Sequence, residues 1–124
     1  MVIYYVIRLR NQADMKTELS SNETITRSGV ASLQRGAETV GGKLYLTSHR
    51  LIFESHSFNI QTGATIISLA EISQTATCWT KFLNLFPIVP NSLAVLTSSG
   101  EKRFVLFGRK KWKLAIDRQM KQAG

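Results

Sequence analysis

Residues 41–56, GGKLYLTSHRLIFESH, constrain this chain more than any other stretch, because they suit a pair of β-strands and no helix. Leu44 and Leu46 alternate with Lys43, Tyr45 and Thr47; after Ser48 and His49 the pattern restarts with Leu51 and Phe53 around Ile52. Apolar residues at period two line one face of a strand, whereas a helix turning every 3.6 residues would scatter them. Two such runs, rich in β-formers and led in by Gly41-Gly42, predict a hairpin.

The rest of the chain must supply a core for that hairpin. A length of 124 residues suits one domain, which at this size buries roughly two-thirds of its unfolded surface. With 44% hydrophobic and 19% charged residues, the composition excludes both a disordered chain and a membrane bundle. The apolar run over residues 2–7 is too short for a transmembrane helix or a secretory core, and no basic residue precedes it. No transmembrane segment or targeting signal is expected. Its Val, Ile and Tyr favour a strand, and Met15-Lys16 offers an alternative chain start that would make the first fourteen residues an appendage. The expected organisation is an N-terminal extension over residues 1–22, which need not be ordered, and a domain over 23–124.

Residues 11–28 are polar, with Ser20, Ser21 and Asn22 ahead of Glu23, and read as a loop. From Gly29, the apolar anchors Val30, Leu33 and Val40 around Gln34-Arg35-Gly36 predict a first core strand and a loop into the hairpin. Asn59, Thr62 and Gly63 mark a turn, after which Ile66, Ile67 and Leu69 resume an apolar run before Ile72. Leu93, Val95 and Thr97 alternate with Ala94 and Leu96, Ser98-Ser99-Gly100-Glu101 forms a connection, and residues 103–107 return as a strand apolar on both faces, expected to be covered on two sides. Trp112, Ala115, Ile116 and Met120 fall at helical spacing, so the chain closes with an amphipathic helix.

At the hairpin, Gly42, Leu44, Leu46, Thr47, Arg50, Leu51 and Phe53 resemble the G-x-L-x-L-T-x-x-R-L-x-F signature of the GRAM domain, a β-rich module with the pleckstrin-homology-like fold. The resemblance spans approximately residues 23–117. It takes in Ser68-Leu69-x-x-Ile72 and, towards the end, Pro90-Asn91-Ser92-Leu93, Gly100, Phe104, Phe107 and Trp112, which look like the closing strands and helix start of small bacterial-type members. The fold this implies is mainly β: a bent sandwich or partly open barrel of roughly six or seven antiparallel strands closed by one C-terminal helix. The function it implies is the binding of phosphoinositides, other lipids or proteins, without catalysis.

The residues agree that chemistry is not the purpose. There is no Gly-rich phosphate loop, no HExxH, no GxSxG and no local carboxylate pair placed for acid and base roles, so no enzyme is expected. Cys78 stands alone, and with His49 and His56 it falls short of any metal-ligand spacing; no disulfide, metal or cofactor is expected, and a reducing, cytoplasmic setting, peripheral to a membrane, suits the chain. Sixteen basic against eight acidic residues give a net charge of +8, which favours anionic partners. Six of those eight net charges fall after residue 100, where Lys102, Arg103, Arg109, Lys110, Lys111, Lys113, Arg118 and Lys121 face only Glu101 and Asp117.

Arg109, Lys110 and Lys111, with Lys113, Lys102 and Arg103, are therefore candidates for an anionic membrane surface or an acidic protein; the bland alternative is a solvated helix face. Phosphoinositide-binding members of the resembled fold usually carry bases on the first two strands and their loop. Here residues 36–42 hold an acid and no base, and only Arg35 and Lys43 flank them, which favours general attraction over inositol-phosphate specificity. A second candidate is the apolar run with Phe82, Leu83, Leu85, Phe86 and Ile88 beside Pro87 and Pro90, which either docks on a bilayer or partner or folds back over the barrel mouth. Two rivals remain: a small basic barrel binding nucleic acid, disfavoured because Tyr45, Phe53, Phe104 and Phe107 lie in strands that read as buried, and a self-associating module. The oligomeric state is left open.

Overall fold

The computed structural model describes residues 15–36, 38–57, 63–80 and 89–123. The elements run β1 (Ile25–Arg35), β2 (Glu38–Thr47), β3 (Arg50–Ser55), β4 (Thr65–Ser68), a 3-10 turn (Leu69–Glu71), β5 (Ile72–Thr80), β6 (Val89–Thr97), β7 (Gly100–Leu106) and a C-terminal helix, α1 (Arg109–Ala123). The strands form one antiparallel sheet in the order β4-β3-β2-β1-β7-β6-β5, with β4 and β5 as its open edges.

The hairpin signature is β2 and β3, in register Leu44 with Phe53 and Leu46 with Leu51. These residues face inward, joined by Leu33 on β1, Leu93 and Val95 on β6, and Phe104 and Leu106 on β7. From the helix, Trp112 and Ile116 close that core, with Ala115 and Met120 packed against it, as the helical stripe predicted. Burial is worth roughly 1.5–3 kcal/mol per large apolar side chain, so this row is the main source of stability. Gly42 shows why the hairpin begins with glycine: a Cβ there would run into the Glu54 carbonyl oxygen and sit 2.7 Å from Ser55 Cα and 2.8 Å from a Phe53 ring carbon.

Four details differ from expectation. The first strand begins four residues earlier, at Ile25, and residues 38–42 belong to β2 rather than to a loop, since Arg35 already pairs with Glu38. Val30 is 67% exposed rather than a core anchor, because β1 turns Ala31 and Leu33 inward and its even-numbered residues outward. Phe107 is 89% exposed: it follows the last residue of β7, on the face opposite the buried Leu106, where no described element covers it.

The outer face of β2 and β3 has a smaller core of its own. Tyr45 and Ile52, cross-strand neighbours, are covered by Met15 and Ile25, with Leu19 packed alongside. Residues 15–24 are fastened there by carboxylates. Glu54 accepts from the Lys16 and Thr17 backbone N–H groups (3.1 and 2.7 Å) and from the Thr17 hydroxyl (2.6 Å). Buried Glu23 accepts from the Ser20 hydroxyl, the Thr47 hydroxyl (2.6 Å) and both Nε and Nη2 of Arg50 (2.9 Å each). Burial alone would raise the Glu23 pKa, but the Arg50 guanidinium and the two hydroxyls outweigh it and hold the group down at about 2. Arg50, at a signature position, is thus consumed in a structural pair, and its Nη2 also donates to the Glu18 carbonyl (3.0 Å).

Candidate functional site

The basic residues singled out by composition do not form one patch. Register places Arg35, Lys102 and Arg103 at the end of the sheet holding the β1–β2 turn, since Gln34 pairs with Arg103. Arg109, Lys110, Lys111 and Lys113 follow the other end of β7, at the start of the helix. Several are also already engaged. Arg103 pairs with Glu101 (3.1 Å), and Arg35 donates to the Thr65 hydroxyl (3.3 Å). Arg109 donates from Nη1 to the Cys78 carbonyl (2.6 Å), strapping the helix to β5, and Lys113 bridges Asp117 (2.7 Å) and the Thr75 hydroxyl (3.1 Å). Lys102, Lys110 and Lys111 are exposed. Lys43 lies mid-sheet on the outer face, its Nζ 5.6 Å from the Tyr45 ring centroid, and lines a cleft of about 210 Å³ with Lys16, Val30, Glu54 and His56. The apolar run containing Phe82, Leu83, Leu85, Phe86 and Ile88 lies outside the described residues.

One corner brings cationic and apolar groups together. β7 ends at Leu106, Gly108 turns the chain at φ +69°, and its carbonyl accepts the Trp112 N–H (2.9 Å), which starts α1. That backbone angle suits glycine and is uncommon for other residues. Phe107 projects at this turn, and Lys110 and Lys111 follow within a few residues, with no acid in the first turn of the helix. Continuing the β1–β7 register by one step beyond Ala31 and Leu106 sets exposed Val30 level with Phe107.

Composition gave no reason to choose Arg27, which belongs to the same corner. Its guanidinium carbon lies 5.0 Å from the Trp112 ring centroid, and Gly108 is the neighbouring turn: a Cβ there would be 3.7 Å from Arg27 Nη2. Gly29, one inward position along β1, leaves room for the same indole, 3.5 Å from where its own Cβ would be. The R-x-G-x-A-x-L spacing from Arg27 to Leu33 does alternate, and that is the signal by which β1, and Arg27 on it, could have been placed.

A profile described as the GRAM domain matches residues 9–112, most of the chain. The chain belongs to the GRAM domain family. No curated protein is significantly similar to it. Among solved structures, this GRAM domain resembles the C-terminal domain of an unknown protein from Leishmania infantum, at 22% identity and TM-score 0.61, covering 95% of this chain and 97% of that one. It also resembles the Vps36 N-terminal PH domain, at 13% identity and TM-score 0.61, covering 85% and 84%. The N-terminal PH domain of human ARAP2 matches at 13% identity and TM-score 0.61, covering 87% of each chain. At these identities the likeness carries the fold, which is the pleckstrin-homology-like one.

GRAM and pleckstrin-homology-like domains are typically lipid- or protein-binding modules and generally not catalysts. No helix among the described residues is long and apolar enough to cross a membrane. Tyr45, Phe53 and Phe104 are buried, so these rings have no face for a nucleobase to stack on, whereas Phe107, expected to be buried with them, is exposed.

Proposed function

We propose that this GRAM domain is a recruitment module that docks on an anionic membrane surface through the corner where β7 meets α1. The observation that carries the reading is Phe107, 89% exposed at a fixed turn, with exposed Lys110 and Lys111 just beyond it and exposed Val30 beside it. Large apolar side chains held out of the core in a charged setting mark interaction surfaces. A ring that enters the lipid interface while amines meet the headgroups suits a bilayer surface. Each Lys or Arg near an anionic leaflet contributes about 1 kcal/mol, decaying within a Debye length.

The test is sedimentation with vesicles of graded phosphatidylserine content at low and physiological salt. Salt-sensitive binding that rises with anionic content is expected, with the Lys110→Ala/Lys111→Ala pair losing about 2 kcal/mol, roughly thirtyfold. Binding that is absent at both salts would remove the membrane as partner and leave an acidic protein, and binding equal on neutral vesicles would remove the anionic headgroups as what is recognised.

A further inference from the structure

We propose that Arg27 is the residue that takes the phosphate oxygens of the lipid headgroup, selecting phosphomonoester headgroups over other anionic ones. The inference rests on the membrane-docking reading for the source of the phosphate, but its chemistry stands on Arg27 alone.

Arginines in folded domains spend their donors. Arg50 gives three hydrogen bonds to Glu23 and Glu18, Arg109 donates to Cys78, Arg35 and Arg103 each reach an acceptor although Arg103 Nε is buried without one, and Arg118 lies exposed on the helix. Arg27 donates to no described residue and pairs with no carboxylate among them. Its Nε is shut off from solvent without an acceptor, which leaves the two Nη groups as the edge that can meet a ligand. The side chain is nonetheless held, because its guanidinium lies against the Trp112 face at 5.0 Å, and Trp112 is itself buried at the head of the core. Stacking on an indole stabilises a cation and fixes the plane of the fork before any anion arrives, so little rotamer freedom is lost on binding.

The neighbourhood has the charge for this role. Gly108 lies beside Arg27 and leads into Arg109, Lys110 and Lys111 with no acid in that turn, and exposed Phe107 sets the depth at which the corner would enter the interface. A planar guanidinium recognises two oxygens of one phosphate in parallel. A phosphomonoester offers three terminal oxygens and up to two charges, whereas the diester phosphate of phosphatidylserine offers two oxygens and one charge. Arg27 also lies at the end of β1 opposite the β1–β2 turn, so this seat differs in place from any site built on that turn.

The experiment compares wild type, Arg27→Lys and Arg27→Gln on two probes. The first is vesicles containing phosphatidate or phosphatidylserine, matched in total charge. The second is soluble glycerol 3-phosphate, followed by the indole N–H resonance of Trp112 in a Trp79→Phe background that removes the other indole signal. Wild type should prefer phosphatidate at least threefold, and glycerol 3-phosphate should move the Trp112 resonance saturably. Arg27→Lys keeps the charge and loses the fork, so it should retain phosphatidylserine binding and lose both the preference and the resonance shift. Native amide dispersion in Arg27→Lys shows that the loss is not unfolding. Equal preference in Arg27→Lys, or a Trp112 resonance that glycerol 3-phosphate leaves in place, would overturn the assignment. A shift lost in Arg27→Lys, without vesicle binding by any variant, would keep the phosphate seat and remove the membrane reading.

Discussion

The hairpin and the β7–α1 corner use the same residue types to opposite ends. In the hairpin, glycine, arginine and acid are all spent on the fold: Gly42 admits the Glu54 backbone, Arg50 neutralises buried Glu23, and Glu54 ties down Lys16 and Thr17. At the corner, Gly108 turns the chain, Arg27 has no acceptor among the described residues, and Phe107 lies open. The region most recognisable as a family signature is thus the scaffold. The one with unspent donors and uncovered apolar surface is where a ligand has something to gain.

If that division is right, the largest stability losses come from the hairpin. Gly42→Ala forces a methyl into the Glu54 carbonyl and the Phe53 ring, and the neighbouring strand cannot move without opening the β2–β3 ladder. A loss of about 3 kcal/mol or more is expected, seen as a large fall in the urea midpoint or as failure to fold. A stable Gly42→Ala protein with unchanged midpoint would show that the ladder is looser than its register implies.

Arg50→Ala comes next, at about 3 kcal/mol, because it leaves a carboxylate 1% exposed with only hydroxyl and amide donors. The same pair makes stability depend on pH. Glu23 has its pKa lowered from 4.5 to about 2 in the folded protein, so its contribution is fully present above about pH 4.5 and is lost as pH falls towards 2. Equilibrium unfolding across pH 2–6 should show wild type losing on the order of 3 kcal/mol more than Glu23→Gln over that window. Parallel curves would mean that Glu23 is not the group that titrates.

How much of this was legible follows from which residues carry it. β2, β3, β6 and β7 alternate with Leu, Phe and Val, and α1 repeats Trp112, Ile116 and Met120, so large apolar side chains announce their own periodicity. β1 alternates too, but its inward row opens with Arg27, Gly29 and Ala31, so its alternation lies in spacing and not in large apolar side chains. Residues 15–24 are polar and irregular locally; what makes them structural is their acceptors and donors some thirty residues away. The four apolar residues 104–107 could not reveal which faces were covered, because a short apolar run reads alike whether a second layer is present or absent. The divided basic set has a similar origin: charge counted along the chain ignores that β7 runs from one end of the sheet to the other.

Smaller effects on stability, with larger ones on binding, belong to the corner. Phe107→Ser removes a ring that packs on little, so unfolding should change by less than about 0.5 kcal/mol. Vesicle affinity should fall about tenfold, the loss expected when one aromatic side chain no longer leaves water. A variant that binds as wild type would move the contact away from Phe107, and one that unfolds would place that ring in the core after all.

The finest distinction lies within the cationic run itself, where Lys110 and Lys111 are exposed while Lys113 is held by Asp117 at 2.7 Å. An exposed i,i+4 pair stabilises a helix by only about 0.3–0.5 kcal/mol, so Lys113→Ala should barely shift the unfolding midpoint. The double variant Lys113→Ala/Asp117→Asn leaves the net charge unchanged and should lower affinity for phosphatidylserine vesicles less than twofold, against roughly fivefold for Lys110→Ala. Asp117→Asn then provides the opposite sign: it releases the Lys113 amine and should strengthen binding, more at low salt than at physiological salt. If Lys113→Ala and Lys110→Ala weaken binding equally, total charge governs docking and the pairing of individual side chains is irrelevant. If only the exposed lysines matter, the membrane reads the corner residue by residue, as the contrast between Arg50 and Arg27 requires.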